Sequence, residues 1–225
     1  MDNYTAKNEE IIEVWDWDSA CPLGIPISRD EAHKKGIPHE GVHLWVIRII
    51  DKIPEVLFQK RASFKKSYPG YLDITVGGHV PFGLKENKIQ KEALEEIGIS
   101  FFDEQLIDLG LYRHEGHEEN NVLHREFPHV YMLKDNRSLD EYSFNDGEVT
   151  ALAAIPLPEL VELLAGKGTC NSTYYDGSNI EQRVLHRNEF HPLLFDSGMK
   201  KYMSIIMQAA QELTGGKTIT VKMFT

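Results

Sequence analysis

The sequence predicts an α+β fold in which a mixed β-sheet lies between helices, an α/β/α layering. Three observations lead there. Segments rich in β-branched and aromatic residues recur along the chain, the clearest being GVHLWVIRII at residues 41–50. Segments with helical spacing fall between and after them, at residues 86–97, 158–165 and 199–213. No internal repeat, low-complexity tract or long Pro/Gly/Ser linker divides the 225 residues. One domain over 1–225 is therefore expected, with a strand/helix extension at 1–40 and a helical extension at 168–225.

The elements follow in chain order. IIEVWDW at 11–17 has strand composition, and 18–25, with Pro22 and Gly24, reads as a turn. Residues 28–35 form a short helix: Ser28 caps it, Glu31 stands three residues on, and Gly36 stops it. The strand at 41–50 pairs with VLFQKR at 56–61 across a turn at 51–55, and YLDITV at 71–76 is a further strand. Glu86 opens a helix that ends at Ile97, with Gly98 in the C′ position. Residues 106–113, 127–133 and 149–155 read as strands. The helix at 158–165 has Pro158 early and Gly166 after it, and the helix at 199–213 spaces Tyr202, Met203, Ile206 and Ala210 along one face.

Composition excludes several classes. With 24 Lys and Arg against 35 Asp and Glu, the formal net charge is −11. That balance lacks the basic footprint of a nucleic-acid or anionic-membrane binder. Two cysteines, Cys21 and Cys170, stand far apart and form neither a disulfide framework nor a zinc knuckle. MDNYTAKNEE lacks the apolar core of a signal peptide, and no apolar run approaches a membrane span. A cytoplasmic protein with free thiols is expected. Ten histidines are many for this length.

The chemistry is concentrated in GGHVPFGLKENKIQKEALEEIGI, residues 77–99, a Gly-rich turn followed by a helix. With Ile89 at 0°, Glu92, Glu95 and Glu96 fall at about 300°, about 240° and about 340° on that helix. The three carboxylates share one face, and Ile89, Ala93 and Ile97 occupy the adjacent one. Crowded carboxylates repel unless a hard cation such as Mg²⁺ or Mn²⁺ relieves them. An EALEE string alone is also a common solvated helix face.

This segment resembles a Nudix box, G-x5-E-x7-R-E-U-x-E-E-x-G-U, where U is aliphatic. Gly78 matches the opening glycine. Glu92, Glu95, Glu96, Gly98 and Ile99 match the second half, with Lys91 in the Arg position and Ala93 in the first aliphatic one. The middle is one residue short, and Leu84 stands where the first Glu belongs, with Glu86 as a substitute. SRDEAHKKGIPHEGVHLWVI, LFQKR and SYPGYLDITVGGHV are similar to the Nudix branch related to isopentenyl-diphosphate isomerase, and NDGEVTALAAIPLPELVELL resembles the strand and helix that follow the box. The likeness thins after Gly166.

The resemblance implies a Nudix fold and a hydrolase that cleaves a small-molecule organic diphosphate, such as a nucleoside-diphosphate derivative, with Mg²⁺ or Mn²⁺. It implies Glu92, Glu95 and Glu96 as metal ligands, with Glu92 and Glu96 in the catalytic set. Lys91 keeps the charge of the Arg it replaces and loses the planar fork. Glu148 in NDGEV is the first candidate for a base from outside the box, and Glu126 the second; each is equally read as an exposed loop carboxylate. Arg61, Gly77, Gly78 and His79 are the expected substrate contacts, Arg61 being alternatively a surface ion pair. By analogy with the isomerases, His39, His79, His124 and Glu126 are a candidate second metal site, or histidines that merely support the fold. His114, His117, His129, His186 and His191 have no motif context and read as surface or packing residues.

Three rivals stand beside this reading. An isomerase needs a Cys where Gly77 stands, and Cys21 and Cys170 lie elsewhere. The short box and NDGEV resemble Nudix domains that act on thiamine diphosphate or its damaged forms. A binding module without catalysis usually lacks box carboxylates that are present here. Residues 168–197 are irregular and form either a lid or packing for the last helix; Tyr174 and Tyr175 suit stacking on a base or core packing. Residues 217–225 read as a late strand or a contact in a homodimer.

Overall fold

The computed structural model describes residues 10–84, 88–117 and 122–223. Two antiparallel strands open it, β1 (Ile11–Asp16) and β2 (Cys21–Ser28). Residues 21–28 are thus a strand where Pro22 and Gly24 predicted only a turn. The turn is confined to residues 17–20, and a register shift after Val14 accommodates the irregular stretch opposite. Helix α1 (Arg29–Lys35) follows at once. Ser28 Oγ accepts from Glu31 N–H, and Gly36 closes the helix in the left-handed region at φ 63°.

Next come β3 (His39–Ile50) and β4 (Ile53–Arg61). Their turn is shorter than expected: Ile50 pairs Ile53, and Asp51 and Lys52 both take positive φ, as a two-residue hairpin requires. The strand expected at 71–76 divides into β5 (Leu72–Ile74), paired with β4, and β6 (Val76–His79), paired with β3. Then follow α2 (Lys88–Ile97), β7 (Leu106–Leu111), β8 (His114–His117), β9 (Leu123–Lys134), β10 (Val149–Pro156) and α3 (Leu157–Leu164).

Residues 168–197, expected to be irregular, contain a hairpin, β11 (Thr169–Tyr175) and β12 (Ile180–His186). Its polar composition has a physical reason: one face of β11 is buried at Cys170, Ser172 and Tyr174, while Asn171 is exposed on the other. The hairpin turn is held by Asp176 Oδ1, which accepts from Ser178 and Asn179 N–H. The C-terminal extension is therefore strands followed by α4 (Ser197–Thr214), capped by Asp196. Residues 217–223 form no strand, and they are tethered by Met223 N–H to Leu109 O, Lys222 Nζ to Asp108 O and Thr220 N–H to Glu212 Oε2.

All twelve strands of the described residues join one sheet, in the order β12-β11-β10-β4-β3-β1-β2, with β9 on β3 and β7 and β8 on β9. β3 and β9 run parallel and the other pairings are antiparallel, so the sheet is mixed. Alternation along β3 defines two layers. Val42, Leu44 and Val46 pack with Ile89, Ala93 and Ile97 of α2. Trp45 and Ile47 pack on the other face with Leu160 of α3 and Tyr202 and Ile206 of α4. The α+β expectation with helices on both faces holds. No helix among the described residues is long and apolar enough to cross a membrane.

Candidate active site

The box helix is oriented by its apolar stripe. With Ile89, Ala93 and Ile97 buried in the sheet, Glu96 turns inward as well and is only 4% exposed, while Glu92 is half-buried and Glu95 faces solvent. Glu96 Oε2 accepts from Gln59 Nε2–H at 3.1 Å and from Gly77 N–H at 3.4 Å. Glu92 lies against the backbone of β6, where a Cβ on Gly78 would stand 2.8 Å from its carboxylate carbon. Lys91 Nζ sits 3.6 Å from Glu92 and 3.2 Å from Glu95. Burial pushes the Glu96 carboxyl well above its ordinary pKa, and the charge of Glu92 adds to the shift. Burial also raises Glu92, against the pull of Lys91. Glu86, the proposed substitute for the missing box Glu, lies outside the described residues; Leu84 is exposed before the helix.

The C-terminus of α2 brings in the next acid. Gly98 takes φ 70°, and Ser143 Oγ occupies the place of its absent Cβ. The chain from 143 to 146 then satisfies the open helix carbonyls: Ser143 N–H donates to Ile97 O, Asn145 Nδ2–H to Leu94 O and Asp146 N–H to Glu95 O. Glu148 follows, 2.5 Å from Lys65 Nζ. Lys65 lies near enough to lower the Glu96 pKa, and Asp146 near enough to raise it. Glu92, Glu95, Glu96 and the 146–148 loop thus border one region. Arg61 is already engaged: Nε and Nη2 donate to Ser67 O, and Nη1 pairs with Asp73 at 3.2 Å. That is a partly buried ion pair, where the alternative for this residue is a surface one.

A second cluster lies at the end of β6. The parallel register of β3 and β9 sets His39 opposite Glu126. His79 ends β6 and His33 projects from α1, so that ring nitrogens of His33, His39 and His79 lie within 4.8 Å of one another. His33 Nε2 and His79 Nε2 are 2.8 Å apart, and one must carry the proton the other accepts. His124 stacks on His33 at 5.5 Å and pairs with Glu126 at 3.4 Å. His39 Nδ1–H donates to Ile37 O, which leaves Nε2 as a buried lone pair without a hydrogen-bond partner among the described residues. Gly41 leaves room for Glu126, whose Oε1 would stand 2.0 Å from a Cβ there. Burial depresses His33 to about 4 and carries His39 and His79 down as well. Burial opposes ionisation of Glu126, yet the surrounding imidazoles hold its carboxyl well below the usual range.

Three residues of this region escaped the sequence reading. His33 lies in the quoted SRDEAHKKGIPHEGVHLWVI segment, which is its only signal. His114, taken as a surface or packing residue, is 6% exposed with its ring 5.6 Å from that of His124. Its cause is the β8–β9 register, which pairs His114 with Glu126. Gln59 is a buried polar residue within an apolar strand. Among the other histidines, His129 pairs with Asp108 at 2.9 Å and the His191 ring lies 3.8 Å from that of Tyr68.

No family model matches this chain. An uncharacterised Nudix hydrolase of Clostridium acetobutylicum is 27% identical over 212 residues, covering 91% of this chain and 98% of the relative. Nudix hydrolase 3 of Arabidopsis thaliana is 23% identical over 197 residues, 83% of this chain; the chain spans only 25% of that longer relative. A crystal structure of a Deinococcus radiodurans protein superposes with a TM-score of 0.53 at 19% identity, covering 70% of this chain and 90% of the other. The chain has the Nudix fold, and its likeness to these relatives supports a Nudix-type hydrolase.

Proposed function

We propose that the protein hydrolyses a diphosphate linkage in a nucleoside-diphosphate-type or related organic diphosphate, using Mg²⁺ or Mn²⁺ held by Glu92, Glu95 and Glu96. The observation that carries this reading is the burial of Glu96 beside Glu92 with raised pKa values and no cationic side chain bonded to Glu96 among the described residues. The donor set is all oxygen, which fits a hard divalent ion. When bound, such an ion polarises a phosphoryl oxygen and makes a coordinated water more acidic.

The chain's own residues supply the rest. Water attacks phosphorus, the bridging P–O bond breaks, and the water proton passes to a carboxylate. Glu148 is the better candidate for that base, since its loop is fastened to the end of α2. Glu126 is held ionised among histidines and is a weak base there. Gly77 and Gly78 admit Glu96 and Glu92 close to the backbone. The isomerase reading lacks its Cys at Gly77, and thiamine diphosphate remains the alternative substrate on the short box.

A second reading concerns the histidines. His39, His79, His124 and Glu126, joined by His33, are proposed to hold a transition metal, because His39 Nε2 is a buried lone pair directed away from its backbone bond.

The test is a Mg²⁺/Mn²⁺-dependent phosphate-release screen over nucleoside diphosphate derivatives, dinucleoside polyphosphates, NADH, and thiamine and isoprenoid diphosphates. Glu96→Gln is expected to lower turnover about a hundredfold or more, in line with the several kcal/mol such charge stabilisation supplies. No turnover on any substrate would favour a binding module, and allylic product from isopentenyl diphosphate would favour the isomerase.

A further inference from the structure

Resting on the reading of Glu96 as a metal-holding carboxylate, we propose that Gln59 is the residue that positions it. Gln59 lies two residues after Leu57 on β4, so strand alternation puts both on the face covered by α2. Leu57 belongs to the apolar cluster there, and Gln59 is 5% exposed. A primary amide buried in such a stripe costs stability unless its donors are used. Its Nε2–H is given to Glu96 Oε2 at 3.1 Å, and Gly77 N–H is directed at the same oxygen at 3.4 Å.

Both bonds fall on Oε2, and among the described residues none is made to Oε1. One oxygen is therefore fixed by the sheet, and the other is left to face a cation. Lys91 does not share this task, because its ammonium is placed on Glu92 and Glu95. In the box pattern this sequence resembles, an Arg at that position orients a carboxylate. Here a neutral amide from the neighbouring strand orients Glu96, and being neutral it adds no charge that would compete with the cation.

Gln59→Met keeps the length and removes the donor; Gln59→Asn keeps the amide but cannot reach, and serves if the first variant folds poorly. Mn²⁺ binding without substrate, followed by electron paramagnetic resonance, is expected to weaken about tenfold in either variant, the scale of a lost bond to a charged group. Turnover should fall while KM stays within about twofold, a split that a general loosening of the fold would not produce. Wild-type Mn²⁺ affinity and turnover in a folded Gln59→Met protein would overturn the proposal and leave the functional reading standing. Failure of the wild-type protein itself to bind Mn²⁺ would overturn both.

Discussion

A methyl group at position 78 would stand 2.8 Å from the carboxylate carbon of Glu92. The backbone there is extended and needs no glycine for its own conformation, so the requirement comes from the side chain laid against it. Gly78→Ala should leave folding nearly intact, because the atoms displaced are the far end of a flexible side chain. It should instead swing Glu92 off the face it shares with Glu96, weakening Mn²⁺ binding several-fold with little change in melting temperature. Paired metal titration and thermal unfolding would read both effects, and an unchanged metal affinity would show that Glu92 tolerates displacement. Gly41 works the same way towards Glu126. Both glycines are visible in the sequence, but the partner that requires each is set by strand pairing and is invisible there.

At the scale of elements, α2 depends on how it ends. Gly98 combines a left-handed φ of 70° with a space already filled by Ser143 Oγ. Gly98→Ala should therefore destabilise the fold by about 2 kcal/mol or more, the cost of the left-handed region plus the displacement of Ser143. Urea unfolding would measure it, and a loss below about 0.5 kcal/mol would show that the 143–146 loop yields easily. Elements with chemical punctuation were legible in advance. Ser28 and Gly36 bracket α1, and Gly98 closes α2, because capping residues act within a few positions of where they stand. The β11–β12 hairpin was not legible. Its exposed face mixes polar residues with Ile180 and Val184, its buried face includes Ser172, and its turn depends on an Asp176 side chain folding back onto backbone N–H groups, which leaves no clean hydrophobic alternation to read. The histidine cluster was legible only in part. His39, His79, His124 and Glu126 could be named, but helix α1 and the β8–β9 register are what bring His33 and His114 beside them.

Over the whole molecule, the net charge of −11 is unevenly spent. Part lies on the box helix, and part in Glu126 beneath a group of imidazoles kept neutral by burial. Near that group stand Arg29, Glu126 and Asp196, yet desolvation is the largest influence on His33, His39, His79 and His114. Their pKa values are depressed in the folded chain from the ordinary 6.5, to about 4 for His33 and His114. Between those pH values the unfolded chain binds more protons than the folded one, so stability falls as pH falls through the window. Glu126, depressed as well, acts in the same direction at lower pH. The buried imidazoles should thus lower the urea stability of metal-free protein from pH 6.5 towards 4, while the raised Glu92 and Glu96 carboxyls, which the folded chain protonates first, act the other way. His33→Gln should remove one group's share, about 1.4 kcal/mol per pH unit. Added Zn²⁺ at pH 7 should raise the melting temperature of the wild-type chain by mass action, and less so that of His39→Ala, the difference isolating the histidine cluster from the box carboxylates. A His33→Gln profile parallel to the wild-type one across the window would mean that this imidazole is solvated rather than buried. An equal Zn²⁺ response in the wild type and His39→Ala would leave the cluster as a fold-supporting core and remove the second metal site.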